Sequence, residues 1–401
     1  MTTIRVRQSP PTQSRFYRNS HMYHHLPVRP RIPPYFDQIP MENNAYQLRA
    51  GDDTIYILRG RTVSELLPHL LPYLDGSFTL SQLIEKCKEV ATEDEILTIL
   101  ECLNNGGLLK DASTEPPSMF SREELSYYGP QILFFSHFTA EPHAYQARLK
   151  NSKVAILGLG AIGVTVLMSL AKAGVGYITG VADRQLSPPF PNHNYTATGV
   201  RESTDGVLAS VLGNINPSID FRQLNDGLQS KDSILQIVKG QDVIVVAMDE
   251  PRMAIFDWVN QICLDENIPW LVCSSLNSIE GTVGPFIVPR ETCCYECYRL
   301  RLKSNLDAYD EYVAFEKYVR EHEGRTASYG YLSQFPAILG EFVALEVVKH
   351  LTLLVPPETY GSLFSINFMT LQARSHEVLK LPRCPVCGPA KDQPPKSYWM
   401  G

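Results

Sequence analysis

The stretch KVAILGLGAIGVTVLMSLAKAGVG, residues 153–176, leaves few folds open to the chain that contains it. Four apolar residues, 154–157, lead into Gly158-x-Gly160-x-x-Gly163, and an apolar run follows up to Gly174. The pattern predicts a strand that turns on glycine into a helix, where bare backbone and a helix N-terminus can approach a phosphate. That geometry is the opening βα unit of a parallel sheet. The motif does not choose a ligand, because dinucleotide-binding enzymes, adenylating enzymes and relatives that bind no nucleotide all share it.

The same alternation continues downstream. Apolar runs at 177–181, 243–247 and 270–273 are separated by helix-like segments, so residues 151–390 read as an α/β, Rossmann-like domain with a mostly parallel sheet. Asp183, in VADRQ, falls where a ribose-binding acid would stand, or is an exposed loop acid. Asp249 ends the run VIVVAMD at the strand edge where open α/β sheets bind ligands. A carboxylate there can hold magnesium for a phosphate, or cap the helix expected after Pro251.

Cysteine spacing is the most specific signal. CCYECY contains Cys294-x-x-Cys297 and RCPVCG contains Cys384-x-x-Cys387. Two such knuckles complete a tetrahedral four-thiolate site, which points to structural zinc. A closed site of this kind clamps the end of the domain and does no catalysis. The other reading, a redox pair, wants a strand-to-helix turn in a thioredoxin-like unit, which neither pair has. Cys293 adjoins the first pair and leaves the ligand set open by one position. Cys87, Cys102, Cys263 and Cys273 lie in apolar-periodic segments and read as buried small hydrophobes, a usage that fits a reducing cytoplasm.

Before the α/β domain lies a smaller module. Residues 45–60, AYQLRAGDDTIYILRG, carry two short runs around a Gly-Asp-Asp turn and predict a hairpin. Three helical patterns follow, opening at a Thr62-x-x-Glu65 capping box, at Thr79 and at Thr92 with Glu95 three on; the last ends at Gly106-Gly107. Residues 37–112 therefore read as a winged-helix-like domain. Residues 1–36 hold six arginines, no acid before Asp37 and several prolines, the composition of a flexible arm. Residues 113–150 form a linker and an aromatic packing segment, and 391–401 a tail.

Composition excludes several partners. With 36 basic and 43 acidic side chains the net charge is −7, which argues against a broad nucleic-acid or lipid-binding surface. The third helix of the small module has four acids and no base, so it would repel a phosphate backbone. No stretch has the apolar length of a membrane span.

Taken in order, GLGAIG, the acid after the second run, NINP at 214–217, VIVVAMD, GTVGPFIVPRETCCYEC, the helix AILGEFVALEVVKHLT and CPVCG resemble the ThiF/MoeB-type, ubiquitin-activating-enzyme-like family over residues 125–390. The N-terminal module resembles a PqqD-like peptide-recognition element. Together they resemble the leader-peptide-binding protein of azole- and azoline-forming pathways, which works with a YcaO-type cyclodehydratase. The resemblance implies a cytoplasmic subunit that presents a ribosomal, bacteriocin-like precursor peptide to an ATP-using partner. It implies strand addition along Thr54, Ile55, Tyr56, Ile57 and Leu58, and an apolar groove at Ile96, Ile99, Leu100 and Leu103. Active family members place an arginine and a lysine on the phosphates of magnesium-ATP; here Tyr195 stands at the first position, and no lysine occurs between Arg201 and Asn216. Glu250 follows Asp249 where an asparagine is usual. Gly158, Gly160, Gly163, Asp183 and Asp249 are then a vestigial nucleotide site, and ATP and magnesium are not expected in this chain. The rival expectation is an active adenylating enzyme that acts on a peptide or carrier C-terminus. The helix at 335–352 is expected to pack in the fold or at a homodimer interface.

Overall fold

The computed structural model describes residues 3–8, 26–42, 44–50, 54–113, 119–139, 141–182, 207–248, 252–273, 275–276, 279–322 and 330–388. They fall into two compact units, Met1–Glu124 and Leu125–Gly401.

The first unit contains β1 (Thr3–Gln8), β2 (Pro30–Arg31), β3 (Asp37–Met41), β4 (Ala45–Ala50), β5 (Thr54–Arg59), α1 (Arg61–Leu70), α2 (Leu80–Cys87), α3 (Glu93–Asn105) and β6 (Lys110–Asp111). The predicted hairpin is β4–β5, in register from Ala45↔Arg59 to Ala50↔Thr54. It sits inside a four-stranded sheet ordered β1-β5-β4-β3, while β2 pairs with β6. Leu48 and Leu58 from the hairpin pack with leucines of α1, Leu83 of α2 and the apolar stripe of α3 in one buried core. Residues 26–36, read from sequence as part of the arm, belong to this unit: Ile32 and Phe36 join its core, and the Asp111 carboxylate accepts from the Val28 and Arg29 amides.

The box at Thr92 and Glu95 forms at α3, and the helix start at Thr79 proves to carry one as well, with Thr79 and Gln82 reciprocally bonded at α2. The box expected at Thr62 and Glu65 does not form. α1 starts at Arg61 with Gly60 as its N-cap and no side-chain cap. Gly60 takes φ +144°, open to glycine, so the chain turns straight from β5 into the helix and leaves Thr62 inside the first turn.

The chain passes between units within α4 (Arg122–Tyr127). The second unit holds α5 (Gly129–Phe135), α6 (Pro142–Asn151), β7 (Lys153–Leu157), α7 (Ala161–Ala173), β8 (Tyr177–Val181), α8 (Val207–Ile215), β9 (Asp220–Leu224), α9 (Lys231–Val238), β10 (Val243–Ala247), α10 (Met253–Glu266) and β11 (Trp270–Cys273). It continues through β12 (Ser275–Leu276), β13 (Glu280–Val283), β14 (Phe286–Ile287), α11 (Tyr295–Ser304), α12 (Tyr309–Glu321), α13 (Gln334–Thr352), β15 (Ser362–Asn367) and β16 (Ala373–Glu377).

Its main sheet is ordered β14-β11-β10-β7-β8-β9, parallel except for the antiparallel edge strand β14. Strand residues alternate between two cores. Val154, Ile156, Val243 and Val245 face α7 and α13, while Ala155, Leu157, Ile244 and Val246 face α9 and α10. Burial on both faces explains why these strands are continuously apolar in sequence. Phe135 of the aromatic segment lies in the first core, and α13 packs along α7 inside the fold. A second, antiparallel sheet is ordered β12-β13-β15-β16.

Candidate functional site

The order of the main sheet reverses between β7 and β10, and an open α/β sheet binds ligands at the carboxyl ends flanking such a reversal. Gly158 follows β7 at that point. It takes φ +104°, and a Cβ there would lie 2.4 Å from the Ala247 carbonyl oxygen at the end of β10. Gly160 is the N-cap of α7. Gly163 lies so close under the turn that a Cβ would come 1.8 Å from the Gly158 carbonyl oxygen. All three glycines build the cradle that the motif predicts, and two of them are also required by backbone packing. Asp183, Tyr195, Arg201, Asp249 and Glu250 lie outside the described residues.

Sequence reading passed over one cation beside this crevice. Arg252 is the N-cap residue of α10, three positions after Asp249, and is only 7% exposed. An arginine after an acid pair reads as solvated in sequence; only the fold shows it buried.

The cysteine knuckles converge across ninety residues of chain. Cys294 caps α11 and Cys297 sits in its first turn, while Cys384 and Cys387 lie on the turn beyond β16. Their sulfurs lie within 4.8 Å of one another, with Cys294–Cys297 at 3.8 Å, Cys294–Cys384 at 3.6 Å and Cys297–Cys387 at 3.5 Å. A tetrahedron with metal–sulfur bonds of about 2.3 Å has edges of about 3.8 Å, so the donor set and its spacing fit a tetrahedral, thiolate-binding ion such as zinc. The separations are far beyond a disulfide bond of about 2 Å. Cys293 is buried beside the cluster but is not among the four converging sulfurs.

Burial pushes the Cys294 thiol up, and the Cys387 thiol to about 11. For Cys384 burial also works upward, but backbone hydrogen bonds at Cys387 and Val386 together with those to the Cys297 and Cys294 thiols outweigh it and bring the thiol below its ordinary value. A bound dication reverses the remaining penalty by holding all four sulfurs as thiolates. The surroundings fix the turn: the Leu381 amide points at the Cys297 sulfur at 3.4 Å, and the Gly388 amide bonds the Cys384 carbonyl at 3.0 Å.

Next to the knuckle, α10, α11 and α12 are tied by an ionic cluster that sequence gives no hint of. Arg299 meets Glu296 at 2.6 Å, Glu316 at 3.3 Å and Asp257 at 3.5 Å, while Arg320 meets Asp257 at 2.9 Å. Lys303 also pairs with Glu316, which is buried.

In the first unit, β5 carries the predicted strand-addition residues Thr54, Ile55, Tyr56, Ile57 and Leu58. It is flanked by β4 on one side and β1 on the other. Ile96, Ile99, Leu100 and Leu103, predicted as a groove, lie in the buried core at 0–2% exposure.

A doubly covered parallel sheet with a glycine cradle at its reversal point and a four-cysteine knuckle pair defines an adenylyltransferase-like α/β fold. Residues 128–386 match the model of the ThiF family, and the chain belongs to that family. Among curated relatives, the molybdopterin-synthase adenylyltransferase of Salmonella typhimurium is 24% identical over 275 residues, covering 67% of this chain and 98% of its own length. The sulfur carrier protein adenylyltransferase of Thermus thermophilus is 28% identical over 278 residues, covering 67% and 93%. Among solved structures, E. coli MccB with ATP superposes with a TM-score of 0.63 at 19% identity, covering 90% of this chain and 99% of that one. The microcin C7 biosynthetic enzyme MccB in complex with N-formylated MccA gives a TM-score of 0.64 at 20% identity over the same shares. At those identities the likeness to MccB is one of fold, and it reaches further along the chain than the ThiF segment alone.

Proposed function

We propose that this protein is the leader-peptide-binding, enzyme-activating subunit of an azoline-forming cyclodehydratase. The N-terminal unit captures a ribosomal precursor peptide, and a separate YcaO-type protein carries out the ATP-dependent cyclisation. Holding the precursor beside that partner raises the local concentration of its reacting Cys, Ser and Thr side chains. The observation that carries this reading is a self-contained sheet-and-three-helix unit joined to a ThiF-family domain. The MccB structures, solved with MccA, lend support because they share the fold over most of the chain. The knuckle cysteines hold zinc as a structural clamp.

On this reading the α/β domain binds no ATP. Adenylation needs positive groups where a carboxylate displaces pyrophosphate, each contributing about 3 kcal/mol of barrier. Tyr195 and the lysine-free stretch 201–216 lack two of them, a loss of several orders of magnitude in rate.

One observation favours the alternative, an active adenylating enzyme: the glycine cradle keeps its geometry at the sheet reversal. Calorimetric titration with magnesium-ATP separates the two, since micromolar binding would count against the subunit reading. Recognition is tested by truncation. A chain lacking residues 1–112 should lose the precursor peptide in a polarisation assay, and unchanged affinity would remove the assignment.

A further inference from the structure

The strand at the amino end of the first unit lies where a peptide would enter. Every residue of β1 is paired antiparallel with β5, from Thr3↔Arg59 to Gln8↔Thr54. β4 takes the opposite edge of β5, so β1 closes the last backbone hydrogen-bonding row of that strand. The sheet ends on β1 at one side and on β3 at the other; β3 is exposed at every position and interrupted by Pro40, which lacks the N–H a ladder needs. An extended segment joining this sheet beside the core-facing residues of β5 therefore meets β1 first.

Sequence and register make β1 resemble a ligand. TIRVRQ alternates, with Ile4 and Val6 at the register positions of Leu58 and Tyr56. Those two β5 residues pack with the core of the unit, while Ile55 and Ile57, opposite Arg7 and Arg5, lie outside that core. β1 also differs from β4 in its attachment. β4 reaches β5 through residues 51–53, whereas residues 9–29 separate β1 from β2. A hairpin strand cannot leave its partner without unfolding the hairpin, but a strand on a long connection is an intramolecular competitor at roughly millimolar effective concentration.

We propose that β1 is a resident surrogate for the precursor peptide, holding the β5 edge until an extended, antiparallel segment with apolar residues at positions i and i+2 displaces it. This rests on the peptide-recognition reading of the N-terminal unit. The β5 row is then paired when no precursor is present, and the sheet ends on β1 instead. Specificity follows from what must replace Ile4 and Val6 opposite Leu58 and Tyr56.

The test uses the full chain and an Ile4→Pro/Arg5→Pro variant. Adjacent prolines guarantee that one of the two lost N–H groups faces β5. The probe is a fluorescein-labelled synthetic peptide of residues 2–9. The variant should bind both the probe and the precursor peptide about tenfold more tightly than the unmodified chain does, the gain expected if β1 leaves the edge open in one molecule in ten. Equal probe affinity for both proteins, no probe binding by either, or equal precursor affinity for both overturns the proposal and leaves peptide recognition standing. Tighter probe binding by the variant, with no precursor binding to either protein, keeps the surrogate strand and removes peptide recognition instead. Hydrogen exchange on the unmodified chain gives a second readout that does not depend on how the variant folds. Saturating precursor should deprotect residues 3–8 while 54–59 stay protected; continued protection of 3–8 contradicts displacement.

Discussion

A methyl group on Gly163 would collide with the Gly158 carbonyl at 1.8 Å, and neither atom belongs to a flexible side chain. Gly163→Ala should therefore destabilise the second unit by about 3 kcal/mol or more, read as a lower urea midpoint without any nucleotide present. A near-neutral substitution would show that the helix is not held this close to β7. The glycine motif was legible in sequence because packing and phosphate binding demand the same residues, and for that reason it could not say which demand applies here. The cysteines carried more information. Their paired spacing picked out the four sulfurs that converge, while the position of Cys293 outside that group and the burial of Arg252 required the fold. Replacing Cys297 by Ser should abolish stoichiometric metal in elemental analysis; retention of one ion per chain would remove the knuckle assignment.

Among the elements, the strands at the centre of the main sheet were readable because burial on both faces makes them continuously apolar. β3 and β16 were not, since DQIPM and ARSHE are exposed throughout and lack a buried face to impose a pattern. β1 was hidden for another reason: its alternation sits in an arginine-rich, proline-containing stretch whose overall composition reads as an arm. The packing of α13 carries a pH dependence that composition does not reveal. His350 lies against Phe286, and its Nδ1 is 2.6 Å from the Tyr360 hydroxyl. Burial pushes the imidazole down to about 4 from 6.5, against the opposing charge of Asp242. The unfolded chain thus takes up a proton below pH 6.5 that the folded chain refuses until about pH 4. This part of the stability is complete above the higher value and is lost as pH falls toward the lower one. Urea midpoints of the wild type should fall more steeply than those of His350→Gln across that window; parallel curves would contradict the assignment.

At the scale of the whole molecule, the sequence showed a small hairpin-and-helix module and a ThiF-like domain, and its two cysteine pairs implied that the cysteine-bearing end returns to that domain. The fold shows where: the turn beyond β16 meets the start of α11, ninety residues upstream. Removing the metal should therefore loosen the chain beyond β16 while the main sheet remains folded. Chelation should lower the melting temperature and expose residues 378–388 to proteolysis, and zinc should reverse both effects; an unchanged cleavage pattern would show that the knuckles do not clamp this end. Among the described residues no helix is long and apolar enough to cross a membrane, so none of the helices described acts as a spanning anchor. The central claim is that the family fold serves here as a peptide-presenting scaffold whose nucleotide cradle no longer drives adenylation. Exchange of labelled pyrophosphate into ATP, measured on the purified chain with magnesium and saturating precursor peptide, tests it most directly. The account predicts no exchange above the protein-free background; exchange that rises in proportion to the protein concentration would contradict it.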